Sequence, residues 1–125
     1  MLAMSNGLLF TEAVLLVVTA VAHSVLGERR LLGPLLARRD GVLASDLARF
    51  ILRFAWHLTS VTWAILALIL VQLVRDPGTA RFWAAAATGV AFTGIGLYDA
   101  VAIRGRHVGW PLLTAIGIAA LLSLR

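Results

Sequence analysis

The sequence has no cysteine and no lysine. The first absence excludes disulfides, thiolate metal sites and cysteine nucleophiles, and says nothing about compartment. The second means that arginine alone supplies the eleven basic residues which, against six acidic ones, give a formal net charge of +5. Charge of either sign is scarce: 14% of the 125 residues are charged and 61% are hydrophobic. With a mean hydropathy of +0.94, the chain cannot dress itself in the polar surface of a soluble domain. No glycine-rich phosphate loop follows a strand pattern, no Ser-His-Asp order stands out, and no carboxylates pair in a polar cleft, so nothing here decides for or against an enzyme. A basic balance can mark nucleic-acid binding, but these arginines flank apolar runs. Membrane topology accounts for them, and no nucleic-acid partner is expected.

What the sequence does have is long apolar runs. About 20 residues cross a bilayer, and four runs approach or exceed that length, over about 7–28, 47–74, 82–103 and 108–124. The expected fold is all-α: one domain, a membrane-embedded antiparallel four-helix bundle. Ser5 or Asn6 is a suitable cap for the first helix, and Ser45 or Asp46 for the second. Ala20-Val21-Ala22 resembles a cleavage site, but no basic residue precedes the first run, so a span is expected rather than a signal peptide. From Leu31 to Gly41, leucine pairs alternate with Gly33-Pro34 and with arginines, a pattern expected to lie in the membrane interface with its arginines toward anionic lipid headgroups. Arg75-Asp76-Pro77-Gly78-Thr79 and Arg104-Gly105-Arg106-His107 read as tight turns, and Pro111 falls in a first helical turn, where proline is tolerated. Eight arginines (29, 30, 38, 39, 49, 53, 104 and 106) then lie on one side and three (75, 81 and 125) on the other. By the positive-inside rule the Arg-rich side faces the cytoplasm, and both termini are expected in the periplasm of a bacterial inner membrane.

One helical face organises the rest. Positions 49, 53, 57, 60, 64 and 67 return to one side at spacings of three and four and read Arg, Arg, His, Ser, Ala, Ala. This face is the expected seam for the other helices. Small-residue stripes are expected to let backbones approach it: Thr19, His23 and Gly27; Gly89, Thr93 and Gly96; Thr114 and Gly117.

The ionisable residues cluster by depth. His23 lies about 7 Å inside Glu28, and His57 about 12 Å inside Arg49, at the helical rise. Asp99, Arg53 and His107 fall in the same half. Neutral imidazole is the commonest metal ligand, so His23 and His57 are the leading candidates, with His107 third, for a transition metal ion. Two histidines could equally ligate haem b inside a bundle, with Arg53 and Glu28 as cofactor-binding or anion-pairing groups. Alternatives are a proton relay, a polar pocket for a lipid or quinone headgroup, or a ligand-free interhelical network pairing Arg53 with Glu28 or Asp99. Glu28 and His23 stand about 140° apart on a straight helix and cannot share one metal. Trp56 adjoins His57 in sequence and so points elsewhere. Two further functions compete: a small transporter working as a homodimer with Glu12 as coupling carboxylate, and an accessory subunit of a larger membrane complex.

Three motifs, Ala22-His23-Ser24-Val25-Leu26-Gly27-Glu28-Arg29, Arg53-Phe54-Ala55-Trp56-His57-Leu58-Thr59 and Arg104-Gly105-Arg106-His107-Val108-Gly109-Trp110-Pro111, resemble those of a family of small bacterial four-span membrane proteins. The resemblance implies that His23, Glu28, Arg53, His57 and His107 are the family's marked positions. It implies no activity, and Asp99 falls outside its motifs.

Overall fold

The computed structural model describes residues 2–125, with side chains from Asn6 onward. It is helical, with no strand among the described residues. Helix α1 (Leu2–Gly27) passes through a π-helical turn at Glu28–Leu32 into α2 (Gly33–Ala37). A short 3-10 turn, Gly41–Ala44, leads to α3 (Asp46–Arg75), followed by α4 (Ala80–Ala102) and α5 (Gly109–Leu122). Three stretches are long and apolar enough to cross a membrane: Asn6–Ala37, Asp46–Arg75 and Ala80–Ala102. The expected fourth span is shorter than the others. At 14 residues, α5 is about 21 Å long against a hydrocarbon thickness of about 30 Å.

The first helix departs from expectation at both ends. It starts before Ser5 and Asn6 and so does not use them as caps, and it does not stop at Glu28. Gly33-Pro34 does not break the helix. Pro34 lacks the N–H that would bond back four residues, and its ring crowds that carbonyl. The widened turn absorbs this, with the Gly33 N–H bonding the Glu28 carbonyl. The leucines of this stretch do not share one environment: Leu32 and Leu36 are buried against the protein, while Leu31 is exposed.

Helix α3 begins at Ser45, whose Oγ accepts the Ala48 N–H (3.4 Å). At its far end Asp76 makes the expected turn, its carboxylate accepting the Gly78 N–H (3.1 Å) and its carbonyl the Thr79 hydroxyl (3.1 Å). Helix α4 ends in a Schellman motif: Gly105 N–H bonds the Ala100 carbonyl (2.8 Å) and Arg104 N–H the Val101 carbonyl (3.3 Å). Arg104 takes the left-handed conformation (φ 54°) that the motif requires, which turns the chain back so that His107 meets α4.

The helices pack chiefly in two pairs. Helix α1 lies along α3, with Gly27 at Trp56, Ser24 at Ser60 and Ala13 in a buried cluster with Ala67 and Leu70. Helix α4 lies along α5, with Gly96 at Thr114 and Gly89 at Gly117 and Leu121. The glycine stripes of α4 and α5 thus close on each other, not on the Arg53–His57 face. Contacts between α3 and α4 are sparser, and that looseness leaves a cavity.

Candidate functional site

The polar face of α3 meets α1 nearly as its spacing predicts. Arg53 pairs with Glu28 twice, Nη2 to Oε1 at 2.9 Å and Nε–H to Oε2 at 3.2 Å. His57 Nε2 lies 3.2 Å from the same Oε2, and its Nδ1 lies 3.0 Å from Ser24 Oγ. Ser24 in turn bonds Ser60 Oγ at 2.9 Å. Glu28, the first residue of the π turn, lies four residues beyond Ser24 of α1, as His57 lies four beyond Arg53 on α3, so two matching helical faces build the network. Ser60 and Ala67 are buried as the seam requires, whereas Ala64 is exposed.

His23 takes no part in this network. Its ring stacks on Trp56 (4.2 Å between centroids, 5° between planes) and meets Trp63 edge-on at 5.1 Å. Trp56 Nε1–H also donates to the His23 carbonyl (3.0 Å). Gly27 makes this approach possible, since a Cβ there would overlap the indole. His23 Nε2 is buried without a hydrogen-bond partner among the described residues.

His107 forms a third, separate setting. Its Nδ1 lies 2.6 Å from Asp99 Oδ2, and its ring stands edge-on to Phe54 at 6.1 Å. Asp99 is fully buried, and its second oxygen, Oδ1, has no partner among the described residues. The sequence undervalued Asp99, which lies outside the three motifs. Its eight-residue spacing from His107 becomes a contact only through the Schellman turn.

The three histidines named as metal ligands are thus not gathered. Among the described residues no group of three His, Asp or Glu side chains could hold a metal ion. The metal and haem readings of His23, His57 and His107 rest on residue type. Glu12, the transport candidate, is exposed on α1.

The structure adds a cavity of about 830 Å³ between the α1–α2 end, α3 and α4. Its polar wall is Arg39, Asp46, Arg49, Arg53 and His57. Its apolar wall is Phe50, Phe54, Leu58, Val61, Ile95 and Tyr98. Arg49 is held by Asp46 and by the carbonyls of Leu43 and Ala44, and Arg53 by Glu28. Arg49 and Val61 are twelve residues apart on α3, so the cavity extends about 18 Å along the helix. Arg49 and Arg53 alternate with Phe50 and Phe54 over the first turns of α3, and only Leu58 and Val61 of the apolar side chains on α3 lie farther along it. No single motif signals this cavity, because it is assembled from three helices. Comparison of the chain with protein-family models, with curated proteins and with solved structures returns no match.

Proposed function

We propose that the chain is a membrane-embedded antiparallel four-helix bundle that binds an amphiphile, a molecule with an anionic end and an apolar body, in the cavity between α1–α2, α3 and α4. The observation that carries this is the cavity's mixed lining: three arginines with Phe50, Phe54 and Tyr98 beside them, and the aliphatic Leu58 and Val61 farther along α3. Buried or half-buried arginine is the side chain best suited to carboxylate and phosphate, because its planar fork donates two parallel hydrogen bonds. The volume lies within the usual range for a small-molecule site, about 300–1,000 Å³.

Two features support embedding in lipid. The outer surface is strongly apolar, with Leu8, Val90, Val101 and Val108 each more than 60% exposed. The three long helices are also apolar enough to span. The Arg-rich end would face the cytoplasm by the positive-inside rule.

The test is to purify the full chain in mild detergent, extract it with organic solvent and analyse the extract by mass spectrometry. We expect an anionic amphiphile in near-stoichiometric amount, reduced at least several-fold in an Arg49→Gln/Arg53→Gln variant that still folds. Wild-type protein free of any amphiphile in both this extract and a direct binding titration would refute the reading.

A further inference from the structure

We infer that the anion accepted by this cavity is the phosphate of a membrane phospholipid, and that Arg39 is its first contact. This rests on the amphiphile reading above and names the ligand class.

The argument begins with the charges. Of the three arginines on the wall, two are already committed: Arg49 to Asp46 and Arg53 to Glu28. Even Arg38, next in sequence, pairs with Asp40 (3.4 Å). Arg39 forms no ion pair among the described residues and lines the same space. One uncompensated guanidinium matches one singly charged group. A phosphodiester carries that charge on two oxygens and has ester oxygens besides. It can take Arg39 through a two-point contact and still accept the spare N–H groups of Arg49 and Arg53. A carboxylate has only two oxygens, in one plane, and satisfies fewer of these donors.

The cavity's shape argues for a lipid over a free anion. Inorganic phosphate would fill only the arginine end of an 18 Å path and leave the apolar wall unused. Aromatic side chains begin that wall beside the arginines, and its aliphatic part, Leu58 and Val61, continues past them along α3, in the same sense as the change from headgroup to hydrocarbon in a bilayer. Tyr98 on α4 is 61% exposed, so the wall is open sideways, where a chain could enter from the bilayer between α3 and α4. The exposed Arg29 and Arg30 add basic charge on the same segment, which suits an anionic headgroup region.

The experiment is native mass spectrometry of the full chain in detergent, titrated separately with phosphatidylglycerol, diacylglycerol of the same chains, and palmitate. Inorganic phosphate is added as a competitor, and Arg39→Gln is compared with wild type. Arg39 is exposed and unpaired, so this variant should fold, which an unchanged thermal transition would verify. The expected result is phosphatidylglycerol binding at least tenfold tighter than diacylglycerol, about what one charge-assisted contact supplies, with Arg39→Gln cutting that preference several-fold; an unchanged preference in Arg39→Gln would overturn Arg39 as the first contact. Inorganic phosphate should not displace the lipid. Palmitate binding as tightly as phosphatidylglycerol would overturn the phosphate assignment and leave the amphiphile reading standing. Displacement by inorganic phosphate would make it a free-anion site and overturn the lipid. Binding of none of the three chain-bearing probes would overturn the inference and the amphiphile reading together.

Discussion

Four glycines of α4 and α5 give a test in which one chemical change has opposite signs at neighbouring positions. Replacing glycine by alanine inside a helix is favourable by about 0.8–1 kcal/mol where there is room. At Gly94 there is room, for an added Cβ meets nothing within 4 Å. Gly94→Ala should therefore stabilise the fold by about 0.5–1 kcal/mol. Two residues on, at Gly96, the Cβ would sit 2.7 Å from Thr114 N and 3.0 Å from Trp110 O. Both are backbone atoms of α5, so the helices must separate, and overpacking of this kind costs about 1–3 kcal/mol. Net of the propensity gain, Gly96→Ala should destabilise by up to about 2 kcal/mol. Gly117→Ala should behave alike, with the Gly89 carbonyl at 2.8 Å and the Thr93 backbone nearer still. Gly89→Ala should fall between, because what it meets at 2.6 Å is the Leu121 side chain, which can rotate away. Reversible unfolding in mixed detergent and dodecyl sulfate micelles, followed by far-ultraviolet circular dichroism, measures all four variants. If Gly96→Ala proves as stable as Gly94→Ala, the close approach of α4 and α5 is wrong.

Other substitutions probe the polar groups. Asp99→Ala should cost about 3 kcal/mol or more by stranding His107, whereas Asp99→Asn, which keeps an acceptor for the ring N–H, should cost clearly less; equal losses in the same unfolding assay would contradict the buried pair. Ser60→Ala should cost about 1 kcal/mol through the bond to Ser24; Ser24→Ala, which also loses the bond to His57, should cost more, and adding Ser60→Ala to it should cost little further; additive losses would show that the two hydroxyls are not coupled. Under the amphiphile reading, protein purified without chelator should show no Soret band and no stoichiometric metal. A band or metal abolished by His23→Ala/His57→Ala would return the function to a cofactor.

The parts of this fold governed by helical spacing were legible. Arg53, His57 and Ser60 could be placed on one face because three- and four-residue steps recur, and that face does meet α1. Gly89, Thr93 and Gly96 could be picked out as a contact stripe, but their partner could not, because a stripe does not say which helix it meets; it meets α5. Ser45 was recognisable as a cap beside Asp46. The sequence was less legible where one chain feature had two physical outcomes. Gly33-Pro34 can end a helix or be absorbed by a π turn, and tertiary burial of Leu32 and Leu36 goes with the second. Histidines at similar depth can converge or take separate partners. Here His23 was claimed by Trp56, His57 by Glu28 and His107 by Asp99. The cavity was beyond reach because Arg39, Arg53 and Tyr98 come together only through the packing of three elements.

The Glu28–His57–Ser24–Ser60 chain has a directionality of its own. A hydroxyl has one proton to give. When His57 is neutral with its hydrogen on Nε2 toward Glu28, Nδ1 must accept, so Ser24 points its proton at the ring and Ser60 points its proton at Ser24. When both ring nitrogens are protonated, Nδ1 donates to Ser24, and Ser24 turns its proton on to Ser60. The two placements of the ring hydrogens thus call for opposite orientations of two hydroxyls, the second of them on Ser60, which is buried. The direction of the hydrogen-bond chain along the seam between α1 and α3 is therefore set by which nitrogens of a single ring carry hydrogen.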